Sequence, residues 1–146
     1  MRPTDVDRIL ELEKEIFPDP WPRSAFVEQV SGEGWGGYVA VAQGEIVGYI
    51  CTFIADTEAH ITNIAVLPDY RRHGVATRLL EPFLTLVSGS KVEYILLEVR
   101  ASNREAQAFY ERHGFRFLYR RNKYYRRPIE DALVLVRDVE PRRSGE

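Results

Sequence analysis

The chain has 146 residues, 45% of them apolar and 29% charged, and its 20 Lys and Arg against 22 Asp and Glu leave a formal net charge of −2. That length suits one domain with a buried core, and the near-neutral balance argues against a protein that binds nucleic acid through net positive charge. No apolar run approaches the roughly 20 residues of a membrane span, the charged opening segment is unlike a secretory leader, and Cys51 is the single cysteine. The expectation is one cytoplasmic domain over residues 1–140 with a frayed tail at 141–146 and no membrane association. The 3 histidines are scattered and no C-x-x-C or H-E-x-x-H pattern occurs, so no metal site is expected.

In chain order, Thr4 and Asp7 suit a helix N-terminus, Val6, Ile9, Leu10 and Glu13 to Phe17 follow helical spacing, and the acidic residues Asp5, Asp7, Glu11, Glu13, Glu15 and Asp19 suit a solvated face. Pro18, Pro20 and Pro22 then forbid helix and make a stiff loop carrying Trp21. Residues 23–30 read as a second helix with Phe26, Val27 and Val30 facing inward. Residues 38–42 and 46–54 read as strands joined at Gln43-Gly44-Glu45, a hairpin signal. A strand over 58–67 precedes a helix over 75–87, whose apolar face is Val75, Leu79, Leu80, Phe83 and Leu84. A strand from Val92 leads to a helix near Asn103, where Ser102 and Glu105 have capping-box spacing and Gly114 suits the helix end. Two closing strands are predicted at 115–121 and 129–139. The order ααβββαβαββ implies an α/β (α+β) chain with a mixed sheet wrapped by helices.

The most informative stretch runs from Ile61 to Ala76. A β-branched run stops at Pro68-Asp69, the basic turn Arg71-Arg72-His73-Gly74 follows, and a helix opens towards Leu79 and Leu80. The first N–H groups of a helix lack internal partners and its dipole favours negative charge there, so this pattern suits an anion. Gly74 lets the backbone approach a ligand closely. The chain has neither the Walker pattern nor the dinucleotide-binding glycine fingerprint. By itself, the same pattern also describes a basic turn that binds nothing.

Arg71-x-x-Gly74-x-Ala76 resembles the pyrophosphate-binding signature of the GNAT superfamily of N-acetyltransferases. Further along stand Leu97-Glu98-Val99-Arg100-Ala101-Ser102-Asn103, Ala108-Phe109-Tyr110-Glu111, Gly114-Phe115, Arg120-Arg121-Asn122-Lys123-Tyr124-Tyr125 and Glu130-Asp131-Ala132. With Phe17-Pro18 and Trp21 near the start, this order resembles the RimI-type protein N-terminal acetyltransferases, including ribosomal-protein-alanine acetyltransferases, from about Thr4 to Val139. The resemblance implies the GNAT fold, a mostly antiparallel mixed sheet flanked by helices. Family members open on a strand before the first helix, and here that edge strand is expected to be short or missing.

What the resemblance implies chemically is transfer of an acetyl group from acetyl-CoA, a cosubstrate, to the N-terminal α-amine of a protein. An amine attacks a thioester only when neutral. At pH 7.4 about a quarter of an α-amine of pKa about 7.7–8.0 is neutral, against about one in a thousand for a lysine. A base must therefore take a proton and an acid must protonate the departing thiolate. By resemblance, Glu98 is the base, through a water, with strand-end burial expected to tune it, and Tyr110 is the acid. Backbone groups of Ile64, Ala65 and Val66 are expected to pair with the pantetheine arm. Arg71, Arg72, His73, Gly74, Val75, Ala76 and Thr77 would hold the pyrophosphate, and Asn103 would contact the pantetheine or merely cap its helix. Trp21, Tyr124 and Tyr125 would line the substrate groove, although Trp21 also suits ordinary core packing. No direct nucleic-acid contact is expected of the basic, tyrosine-rich segment 116–127, and oligomeric state is left open. His60 and Cys51 read as structural residues. Acetylation of a lysine or small amine, and a non-catalytic CoA-binding module, stay open as alternatives.

Overall fold

Helix α1 (Val6–Ile16) and helix α2 (Arg23–Ser31) come first, followed by strands β1 (Trp35–Ala42), β2 (Glu45–Ala55) and β3 (Glu58–Val66). Then come α3 (Val75–Ser88), β4 (Tyr94–Arg100), α4 (Arg104–Arg112), β5 (Arg116–Arg126) and β6 (Ile129–Asp138). The computed structural model describes residues 1–140, and the tail expected at 141–146 lies outside them. The six strands form one sheet in the order β1-β2-β3-β4-β6-β5, antiparallel except for β3 and β4. Among the described residues no strand precedes α1, where Pro3–Asp5 form a single 3-10 turn.

Strand alternation divides the core between the two faces of the sheet. Ile61, Ile95, Leu97 and Val99 pack with Leu79, Leu80, Phe83 and Val87 of α3 and Tyr110 of α4. Tyr49, Cys51 and Ala65 point the other way, against Ile9 and Leu12 of α1 and Phe26 of α2. Burying a side chain such as Phe83 or Leu80, both 0% exposed, contributes about 1.5–3 kcal/mol. Burial also lifts the Cys51 thiol well above its ordinary range, which makes this residue an inert core group.

Three local expectations need correction. In α2 Phe26 faces inward as expected, but Gln29, 2% exposed, joins it while Val27 is 48% exposed. Gln29 Nε2 donates to the carbonyl oxygens of Gly36 and Thr52, so a hydrogen-bonding side chain takes an inward place. The cap of α4 is Asn103 rather than Ser102: Asn103 Oδ1 accepts from the Ala106 amide at 3.1 Å. The Ser102 amide instead donates to Glu130 Oε1 at 2.5 Å. Finally, β5 runs on through Tyr124 and Tyr125 as far as Arg126.

One irregularity opens the sheet. Cys51 of β2 pairs with Asn63, but Thr52 pairs with Ile61, which leaves Thr62 as an extra residue in β3. Such a bulge bends its strand. Pairing between β3 and β4 ends at Ile61 and Leu97, although the strands continue to Val66 and Arg100. Beyond that point the β4-facing edge of Asn63–Val66 has no ladder partner.

Candidate active site

The gap between the strands forms a cleft of about 350 Å³. Ile64, Ala65 and Val66 line it from β3, while Asn103, Ala106, Phe109 and Tyr110 line it from α4 and its cap. Ile16 and Phe17 at the end of α1 reach it as well. The unpaired edge of Ile64–Val66 therefore presents its backbone N–H and C=O groups to an extended ligand.

The turn entering α3 closes one end of this cleft. Gly74 is the N-cap of α3 at φ 78°, ψ 10°, a left-handed conformation that disfavours side chains. A Cβ there would meet nothing within 4 Å, so the backbone angle and not protein crowding calls for glycine. Arg72 is left-handed too, at φ 64°. No side chain caps the helix, so the amides of Val75, Ala76 and Thr77 are free to bind an anion. Arg71, Arg72, Gly74, Val75, Ala76 and Thr77 line the cleft, whereas His73 is exposed outside its lining. Arg71 Nε donates to the Val66 carbonyl at 3.0 Å, which ties the turn to the end of β3. Thr77 Oγ1 lies 3.1 Å from His113 Nε2, joining the start of α3 to the end of α4. Burial, then Arg112 and Arg137, lower the His113 pKa and favour its neutral imidazole.

Tyr110 stands where α4 meets the cleft and is 4% exposed. Its ring packs against Phe109 at 5.3 Å and Phe115 at 5.4 Å. Gly114 (φ 88°) ends the helix, with the Phe115 amide donating to the Tyr110 carbonyl at 3.0 Å. Burial, reinforced by Tyr125, raises the Tyr110 hydroxyl pKa, so it carries its proton at neutral pH.

Glu98 occupies the splayed part of β4, on the face opposite Leu97 and Val99. The burial expected there is partial and shared with an ion partner: its side chain is 25% exposed, and Oε1 lies 3.5 Å from Arg121 Nη1. The Arg121 guanidinium also stacks over Tyr124 at 4.7 Å. Arg100, two residues past Glu98, stacks over Tyr125 at 4.2 Å and donates to the Arg127 and Pro128 carbonyls. The tyrosine rings meet edge to face at 5.0 Å. Burial first, then Tyr124 and Glu98, push the Tyr125 hydroxyl up to about 12; burial and Glu98 also raise Tyr124. The pair thus sits beside Glu98, with Tyr125 adjoining Tyr110 as well.

A bulge in β5 makes this placement. Arg121 pairs with Ala132 and Tyr125 with Glu130, so Asn122, Lys123 and Tyr124 stand opposite Asp131 alone. Asp131 accepts from the Lys123 amide and from Arg120 Nη1, both at 2.8 Å, which pins the bulge at a left-handed Lys123. Hydrogen bonding by Ser102, its side chain first and then its amide, with help from Arg100, holds the Glu130 carboxyl below its usual range.

Trp21 takes the core place that its sequence also suited. Its ring packs on Phe26 at 5.5 Å in the α1–α2 core and is not part of the cleft lining. Asn103 caps α4 and its side chain stands among the residues that line the cleft. His60 Nε2 lies 3.2 Å from Glu58 Oε1, a local contact within β3. Sequence reading missed Arg100 and Arg121 as partners of the tyrosines. The signal available was Arg100 two residues after Glu98, hence on the same strand face.

A family model described as the acetyltransferase (GNAT) family matches residues 6–115. The chain belongs to this family. This GNAT chain is an N-acetyltransferase, with relatives of the type that its sequence resembles. It is 32% identical over 136 residues to a protein named putative [ribosomal protein bS18]-alanine N-acetyltransferase from Bacillus subtilis, covering 92% of this chain and 90% of that protein. It is 34% identical over 151 residues to an N-alpha-acetyltransferase of Saccharolobus solfataricus, covering 94% and 90%. The crystal structure of the ribosomal-protein-S18-alanine N-acetyltransferase from Escherichia coli superposes with a TM-score of 0.90 at 30% identity, covering 100% of this chain and 95% of that one. Among the described residues no helix is long and apolar enough to cross a membrane.

Proposed function

We propose that this GNAT protein uses acetyl-CoA to acetylate the N-terminal α-amine of a protein, with Glu98 as general base and Tyr110 as general acid. The observation that carries the reading is the grouping of Glu98, Tyr124, Tyr125 and Tyr110 where β3 and β4 part. The cleft fits acetyl-CoA in two respects. Ile64, Ala65 and Val66 offer an unpaired strand edge for an amide-containing arm, and open space over left-handed Gly74 adjoins the free amides of Val75 to Thr77. Arg71 and Arg72 supply positive charge around that turn, His73 is assigned to its outer side, and Asn103 offers a polar group beside the arm. The cosubstrate supplies an acetyl thioester.

The protein's own residues manage protons and position. Glu98 takes the proton that the α-ammonium must lose before attack, through a water, and Arg121 fixes the carboxyl group. Tyr110 holds its proton through burial and gives it to the departing thiolate. Tyr124 and Tyr125, each stacked by an arginine, form a rigid wall for the first residues of the substrate. The Trp21 loop is assigned the opposite wall, because Ile16 and Phe17, which lead into it, line the cleft. Two relatives named for ribosomal protein bS18 or S18 support a ribosomal-protein terminus as the substrate class. The buried, unpaired Cys51 fits a cytoplasmic enzyme. The test is thiol release from acetyl-CoA in the presence of a short peptide. Release that requires a free peptide terminus supports the reading, and equal release with a terminally blocked peptide removes it.

A further inference from the structure

Among the described residues, Glu13 is the one charged side chain buried outside the proposed chemistry, at 1% exposure in the middle of the α1–α2 core. Three donors from three parts of the chain converge on its two oxygens. The Trp21 amide, from the loop after α1, donates to Oε2 at 2.8 Å. Asn63 Nδ2, on β3, donates to Oε1 at 2.9 Å, and the Tyr49 hydroxyl on β2 donates to the same oxygen. Burial first, then the bond to Glu13, raise the Tyr49 hydroxyl pKa, so it remains a donor. Such a group is costly to bury unless its hydrogen bonds are met, and here all are protein bonds.

The location of these donors gives the arrangement its meaning. Asn63 follows the Thr62 bulge and immediately precedes Ile64–Val66, the edge left open for the cosubstrate arm. Trp21 lies in the triple-proline loop, which has no ladder or helix to order it, and its amide bond to Glu13 ties the loop to α1 and, through the Tyr49 and Asn63 bonds to the same carboxyl group, to the sheet. We infer that Glu13 is a positioning residue that fixes the Trp21 loop against the strand carrying the cosubstrate, and so sets the width of the peptide groove. The inference rests on the proposed reading that this loop walls the groove. Glutamine at this position would present one oxygen to three donors, leaving the Trp21 amide or the β3 link unmet.

The test compares Glu13→Gln with Tyr49→Phe, which removes one donor to the same carboxyl group but leaves the loop and β3 bonds in place. Both are made in a Trp35→Phe background, so that Trp21 is the single tryptophan. Glu13→Gln is expected to raise the peptide KM by about tenfold, the size of one lost hydrogen bond to a charged group, with acetyl-CoA affinity within about twofold of the parent. It is also expected to increase acrylamide quenching of Trp21 fluorescence. Tyr49→Phe should lower the melting temperature while leaving both readouts at parent values. If Glu13→Gln leaves peptide KM and quenching unchanged, or if Tyr49→Phe shifts them equally, Glu13 has no positioning role. Should the parent itself acetylate no peptide, the substrate reading fails there, and quenching alone still decides whether Glu13 holds the loop.

Discussion

Glu98→Gln removes a proton acceptor while keeping almost the same side-chain size, and two opposing magnitudes separate its effects. The stability at stake is small, because the Glu98–Arg121 pair is 3.5 Å long between side chains 25% and 46% exposed. Such a pair contributes at most about 1 kcal/mol. General-base catalysis contributes about 10²–10⁴ in rate, or about 2.7–5.4 kcal/mol of barrier. The variant should therefore fold nearly as well as the parent, bind acetyl-CoA with unchanged affinity and turn over about 10²-fold or more slowly at pH 7.4. The pH dependence sharpens this. At pH 9 an α-amine of pKa about 7.7–8.0 is about nine-tenths neutral or more, so the deficit should narrow as pH rises. The assay is steady-state thiol release over pH 6.5–9 with a peptide substrate, alongside calorimetric titration of acetyl-CoA. Turnover within about threefold of the parent at pH 7.4 would remove Glu98 from the base role.

Tyr110→Phe keeps the ring that packs on Phe109 and Phe115, so it should lower kcat by about 10²-fold with little change in acetyl-CoA affinity or melting temperature; unchanged kcat would exclude Tyr110 as the acid. Gly74→Ala forces a side chain to φ 78°, costing about 1–2 kcal/mol, and puts a methyl group in the cradle. Its acetyl-CoA KM should rise more than its peptide KM, whereas equal changes would point to stability alone. Phe83→Ala, at a fully buried site, should cost about 3–5 kcal/mol in urea unfolding. For His113 the folded pKa lies below its ordinary 6.5, so the unfolded chain binds the proton more readily. Stability is retained above 6.5 and falls as pH drops towards the folded pKa; His113→Asn should flatten that part of a melting-temperature profile.

How much the sequence discloses follows from the range of the forces involved. Periodicity locates α1, α3 and the strands because burial of one face is a local pattern, and Leu79, Leu80 and Phe83 are buried as their spacing predicts. Gly74 is legible because only its left-handed angle demands glycine. Gln29 defeats the same reasoning: its partners Gly36 and Thr52 lie on other elements, and they draw a polar side chain inward. The path of β5 past Arg121 depends on Asp131, whose bonds to Arg120 and Lys123 form only once β5 and β6 pair. Glu98 carries the same lesson, since its strand suggests apolar burial and Arg121, 23 positions on, supplies an ionic partner. Glu13 looks like one more solvated charge in an acidic helix until Tyr49 and Asn63 are brought to it.

The most direct test of α-amine transfer follows label from acetyl-CoA into short peptides, each paired with an N-terminally blocked twin that carries a free lysine, with the modified atom located by mass spectrometry. The account predicts label on free termini alone, at a rate that varies with the first residue. Label on the blocked twins would make this a lysine acetyltransferase and contradict the proposed groove.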